Sequence, residues 1–366
     1  IVIQDIDVCE KNVPVRDLPK DCLERVEKPV ELFSKLDEWG IDSIVIPHGS
    51  AWGNTSPPMA SWENQSDSLN HDQKYQKLIE LYSGHGNTEE YRPWRSFNLN
   101  NDLYTCPQPT ADFIPYCFQA GEVIRERCRV SAGSASECDS RAKLAREEYV
   151  KSNPFGILTI PKYDSKEWLE SGQCLDCFLP AFDYRPGSSI QYALALRNFD
   201  DNKAEGYRFG FIGSSDNHGA RPGSGYKEID RIANSDSKYK SSGPLTANSN
   251  GEESFSGIPK TQSVDIEELM KTRTGPPQLE RISSFLYTGG LVATHSSSKD
   301  RNSIWNSLNN REVYATSGDR ILLWFDVINH PSTQIKPMGS EFELNINPIF
   351  RVRAVGSQKQ LPGCNV

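Results

Sequence analysis

Four short apolar runs set the frame for this chain: "DSIVIP" at 42–47, "KLIELYS" at 77–83, "YRFGFI" at 207–212 and "GGLVAT" at 289–294. Each has the length and the aliphatic or aromatic content of one buried strand. The first follows "PVELFSKLDEWG" (29–40), where Val30, Leu32, Phe33, Leu36 and Trp39 recur at helical spacing. Pro29 suits the first turn of that helix and Gly40 its end. A helix, a glycine turn and an apolar strand form an α/β unit, as in a parallel sheet or barrel. "SRAKLAREEYVKS" (140–152) reads as another helix and "GILTIP" (156–161) as another strand, while "RNSIWNSLNNREVYAT" (301–316) reads as a helix running into a strand. Beyond residue 320 the texture changes to "RILLWFDVI", "SEFELNI" and "IFRVRAV", alternating strands without helices. The expectation is an α/β domain over 1–320 and the start of a β-sandwich-like segment over 321–366. The polar, glycine-containing stretch through "ANSNGEESFSG" (247–257) reads as loop, and 224–262 is long enough to cover a site.

The chain has only six histidines, so their positions carry information. His48 follows the first run. Glu80 lies inside the second, with His85 five residues later. "GSSDNHGARPG" sets Asp216 and His218 directly after the third, and His295 follows the fourth. In a parallel barrel the C-terminal strand ends share one face, and that face carries the chemistry. Imidazole with carboxylate is a donor set for zinc, manganese or iron. Any one position alone reads more simply as a turn, a cap or an edge residue facing water, because Asp, Asn and Gly favour turns. The repeated placement is what points to a metal site. Arg221 and Lys227 lie near the Asp-x-His pair, and both read as solvated loop cations on their own, Lys227 the more so. Trp52 could line a pocket. Tyr82 and Asn87 could position a substrate, and Tyr82 suits a core equally well. His71, in "SLNHDQKY", reads as exposed, and His330, in "INHPS", as a turn residue. There is no G-x-S-x-G elbow at 213–215, and no glycine-rich stretch ends in the Gly-Lys-Ser/Thr of a P-loop.

A formal charge of −9 over 366 residues argues against a broad nucleic-acid footprint. It leaves room for small phosphorylated substrates, since a bound metal inverts the local sign. No apolar run reaches membrane-spanning length. Nine cysteines are many for a cytosolic enzyme. The lone CxxC (Cys174, Cys177) has no second pair, which argues against a zinc ribbon. Cys106, Cys117, Cys128 and Cys138 are regularly spaced. Several of these six are expected to be disulfide-bonded in an exported, periplasmic or extracellular protein.

The strings "IPHGSAWG", "LIELYSGHGNTEEYR", "FGFIGSSDNHGARPG" and "GLVATHSSSKDRNSIWNSLNNREVYATSGDRILLWFD" closely resemble the family catalogued as domain of unknown function 3604. The resemblance runs from about residue 29 to the end. That family in turn is similar to the PHP (polymerase and histidinol phosphatase) metallo-phosphoesterases. The resemblance implies a distorted (β/α)7 barrel with two or three divalent metal ions, zinc, manganese or iron, at its C-terminal face. It implies His48 as the lone strand-end ligand, Glu80 as the bridging carboxylate, and Asp216 and His218 as the closing pair. His85 and His295 sit where further ligands could lie. On that reading Asp216 is nearest the chemistry, and Arg221, or else Lys227, near the Asp-x-His loop, could neutralise the charge of a phosphate. One departure stands out. PHP proteins open with a strand bearing His-x-His, and no His-x-His occurs here. With no initial Met either, the expectation is that the first strand or strands precede Ile1, or that the site is degenerate. The implied function is a metal-dependent hydrolase, most directly a phosphoesterase using metal-activated water on a small phosphorylated substrate. The alternatives are a metallohydrolase for amides, lactones or sulfate esters, or a non-catalytic binding module.

Overall fold

The computed structural model describes residues 6–47, 61–67, 69–84, 86–91, 94–100, 103–152, 155–162, 164–168, 171–172, 182–183, 186–196, 206–215, 257–265, 290–332 and 334–356. The helices are α1 (Pro29–Trp39), α2 (Trp62–Ser66), α3 (Tyr116–Val130), α4 (Ala135–Lys151), α5 (Ile190–Ala195) and α6 (Arg301–Asn309). The strands are β1 (Leu78–Tyr82), β2 (Asn87–Tyr91), β3 (Asn98–Asn100), β4 (Leu103–Thr105), β5 (Phe182–Asp183), β6 (Gly210–Gly213), β7 (Leu291–Thr294), β8 (Val313–Thr316), β9 (Leu322–Val327) and β10 (Phe350–Val355). No helix among the described residues is long and apolar enough to cross a membrane.

The central sheet has the order β5-β2-β1-β6. β1 runs parallel to β6 and antiparallel to β2. β8 lies along β6, and glycines allow the approach. A methyl on Gly210 would stand 2.8 Å from Val313 and 2.9 Å from Leu78, and one on Gly213 would stand 2.9 Å from the Leu291 carbonyl and 3.2 Å from that of Thr316. Val313 thus sits at the start of β6 and Thr316 at its end, so β8 runs with β1 and β6. β7 pairs antiparallel with β8, Leu291 opposite Thr316 and Thr294 opposite Val313. β7 therefore runs against the other three. Among the described residues no sheet closes into a barrel.

A second body of structure is built on α3 and α4. Ala120, Ile124, Ala145, Ile160 and Trp168 form its core, each 1 % exposed or less. Ser134 caps α4 by accepting a hydrogen bond from the Glu137 amide. The Cys128–Cys138 disulfide joins the end of α3 to the first turn of α4, and Cys106–Cys117 ties the start of α3 to the preceding chain. Arg127 forms an ion pair with Glu167 at 2.5 Å and donates to the Pro161 and Lys162 carbonyls. These four cysteines pair as expected, while Cys174 and Cys177 lie outside the described residues. Cys9–Cys22 is a third bond that the spacing did not single out. Such bonds belong to a chain that folds in an oxidising environment.

α1 follows its sequence closely: Pro29 starts it, Gly40 ends it at φ 65°, and buried Phe33 stacks on Tyr75. Three expected strands do not form. Residues 42–47 make no ladder. Val45 donates to the Tyr75 carbonyl at 2.9 Å, and Ile46 is 41 % exposed. Residues 156–159 are buried as expected, but in a 3-10 turn. A short apolar run does not distinguish a buried turn from a buried strand by its period. Residues 340–346 form no strand, and the C-terminal segment is a two-stranded β9–β10 ribbon in which Phe350 pairs with Val327 and Val355 with Leu322.

Candidate functional site

Glu80 is the one polar residue of "LIELY", between Ile79 and Leu81, which the core buries. It sits opposite Ile212 in the parallel ladder, and the register shifts between Glu80 and Tyr82. Such an irregularity bends a strand and re-aims a side chain, and it recurs beside active sites. Just past β6, Ser214 makes three connections. Its amide donates to the Tyr82 carbonyl at 2.9 Å, its hydroxyl donates to Glu80 Oε1 at 2.5 Å, and its carbonyl accepts from the Gly290 amide at 2.6 Å. Ser214 therefore joins the ends of β1 and β6 to the start of β7. A methyl on Gly290 would lie 2.5 Å from Tyr82 Cβ, so glycine there is a packing requirement. Residues 134 apart in sequence meet at this junction. Asp216 follows two residues after Ser214 in the sequence.

Of the expected ligands, Glu80 and His295 lie in the described structure. His48, His85, Asp216, His218 and Arg221 lie outside the described residues, as do Trp52 and Lys227. Among the described residues no three or more His, Cys, Asp and Glu side chains group as a metal cluster. His295 and Glu80 are not brought together. The reading that each strand end shares one face rests on parallel strands, and β7 is antiparallel. His295 leaves β7 at the end where β6 and β8 begin, its amide donating to the Glu312 carbonyl at 2.8 Å. That is roughly 13 Å along the strand from the Ser214 junction. Its ring lies against Tyr314 and Trp324, at centroid distances of 5.7 and 6.2 Å.

Tyr82 takes the core role. It is 5 % exposed and its hydroxyl donates to Glu89. Asn87 is fully buried, and its Oδ1 accepts from the Glu89 amide at 3.1 Å, so it shapes the start of β2. His71 is not the exposed residue its polar surroundings suggest. Its Nδ1 lies 2.8 Å from Gln76 Oε1, and its ring stands edge-on to Tyr207 and Phe209. That oxygen also accepts from the Asp72 amide, so Nδ1 carries the proton in the neutral ring. Burial pushes the His71 pKa below its ordinary 6.5, against the opposing pull of Gln76 and Asp72. His330 is a turn residue, its Nδ1 accepting from the Ser332 amide at 3.2 Å.

A cavity of about 550 Å³ adjoins the junction, lined by Ser214, Leu291, Ala293, Tyr314, Arg320 and Ile321 among others. Sequence reasoning missed Arg320. The available signal was its place in "SGDRILLW", a cation set between a turn and an apolar strand.

No curated protein and no solved structure matches the chain. Residues 190–336, less than half of the chain and running from α5 past β9, match the family described as a protein of unknown function (DUF3604), and that stretch holds Asp216, His218, Arg221 and His295.

Proposed function

We propose that the chain is a metal-dependent hydrolase of the PHP kind, most directly a phosphoesterase, with the barrel architecture that kinship implies. The observation that carries this reading is the 2.5 Å hydrogen bond from Ser214 to Glu80. It draws the carboxylate of β1 to the root of the segment bearing Asp216 and His218. Carboxylate oxygens and imidazoles are a fitting donor set for zinc, manganese or iron. Glu80, Asp216 and His218 would hold the ions, with His48 and His85 completing the set. His295 is left out because of its place at the opposite strand end. A bound divalent ion supplies an acidified water and neutralises phosphate charge. The chain's own part is to aim Glu80 through the Ser214 hydroxyl and to offer cationic side chains, Arg221 among them, to the anionic substrate. Export to the periplasm or the extracellular space fits the three disulfides.

The test is metal content by elemental mass spectrometry, together with hydrolysis of 4-nitrophenyl phosphate, in the native chain and in Glu80→Gln. Glutamine keeps the acceptor for Ser214, so folding is expected to change by under about 1 kcal/mol. The expected result is at least one equivalent of metal in the native chain, less in the variant, and a fall in turnover of about a hundredfold or more. Equal metal and equal turnover in both proteins would remove Glu80 from the site.

A further inference from the structure

We infer that the cavity between the end of β6, β7, β8 and residues 319–322 binds the apolar body of an amphiphilic ester, an alkyl or aryl phosphate whose anionic head lies at the Ser214–Glu80 end. This rests on the hydrolase reading and names its substrate class. A volume of about 550 Å³ suits a small organic group. Leu291 and Ala293 stand on one face of β7, paired across to Thr316 and Tyr314, and all four line the cavity. The hydroxyls on that face are engaged elsewhere. Tyr314 donates to the Ile321 carbonyl at 2.6 Å and accepts from the Leu323 amide, and Thr316 donates to the Asp319 carbonyl at 2.7 Å and accepts from the Gly318 amide. They therefore present a ring and a methyl group to a guest, and with Leu291, Ala293, Ile321 and Leu322 they make an apolar wall. An apolar guest therefore leaves neither hydroxyl without a partner. The two ends of the cavity differ. Ser214, shared with Glu80, and Ser215 mark the polar end, while exposed Asp319 and Arg320 stand side by side on the rim, Arg320 making no ion pair among the described residues. An apolar wall beside a junction reserved for reaction fits an ester with a hydrophobic alcohol; the anionic head follows from the hydrolase reading, with Arg320 the cation available to it at the rim.

The experiment is calorimetric binding of a series of n-alkylphosphonates, methyl to hexyl, to the native chain with manganese present. Phosphonates are not hydrolysed, so binding is read apart from turnover. Affinity is expected to rise about three- to fourfold per methylene until the cavity fills. A flat series overturns the inference. Ala293→Trp, which fills the cavity, is expected to abolish the increment, while Val352→Ser on the exposed face of β10 leaves it unchanged. A folded Ala293→Trp with its increment intact also overturns the inference. If that variant does not fold, Arg320→Gln decides instead: a uniform loss of about tenfold that spares the increment is expected, and no loss removes the rim contact from the inference. Hydrolysis of the matching alkyl phosphates is measured separately. An increment without turnover under any metal discards the hydrolase reading and leaves the cavity assignment standing.

Discussion

The α3–α4 body and the β1–β6–β8 junction are held together in opposite ways. In the first, the partners are near in sequence. Two disulfides close spans of 10 and 11 residues, and the chain from 116 to 168 supplies most of its own core. In the second, strands more than a hundred residues apart meet through glycines that admit no side chain and through one serine making three hydrogen bonds. Local closure costs little entropy and tolerates change, whereas long-range convergence depends on a few contacts. The proposed chemistry sits on the second kind. That suits a site which must bring distant residues to one point, and it leaves the site exposed to single substitutions.

The strongest way to break this contrast is Gly290→Val. Its side chain would collide with Tyr82 and the Thr316 carbonyl, and an expected loss of about 3 kcal/mol or more follows from overpacking. Chemical denaturation measures the loss. Hydrogen exchange should show opening of β1, β6 and β8 while α3 and α4 stay protected. Equal opening of both regions would mean that the two form one cooperative unit.

Next in size is removal of the Cys128–Cys138 bond by a double serine substitution, expected to cost about 2–3 kcal/mol for so short a loop. The exchange pattern should invert, with α3 and α4 loosened and the Ser214 junction intact. A silent double variant would show that the Ile124–Trp168 core suffices without the clamp.

The smallest effect sharpens the contrast from a third place. His71 is held neutral by burial, with its folded-state pKa below 6.5. The unfolded chain takes up the proton first as pH falls. Stability is therefore full above about pH 7, declines as pH drops through 6.5, and levels off below the folded pKa. A thermal-stability profile from pH 7.5 to 5 should show this slope, and His71→Asn should flatten it. A slope that persists in the variant assigns the titration to another group.

Much of the local structure was legible in the chain. α1 carries its apolar spacing, its Pro29 start and its Gly40 stop, and β1 and β8 appear where their aliphatic runs fall. The strand reading of 156–161 failed because burial alone does not choose between a ladder and a 3-10 turn. The strand reading of 42–47 failed because one hydrogen bond to Tyr75 replaces the ladder. His71 was misread because its neighbours in sequence are polar while its neighbours in space, Tyr207 and Phe209, are aromatic.

The sequence by itself determined that apolar runs would end near titratable side chains, that Cys106, Cys117, Cys128 and Cys138 suited disulfides, and that Glu80 stood alone in an apolar strand. Strand direction was decided only in three dimensions. The chain reads the same for a parallel or an antiparallel β7, because apolar content reports burial and carries no vector. Tertiary pairing set β7 against β8, which took His295 to the far end of the sheet and left Glu80 with Ser214, one hydrogen bond from the segment that leads to Asp216.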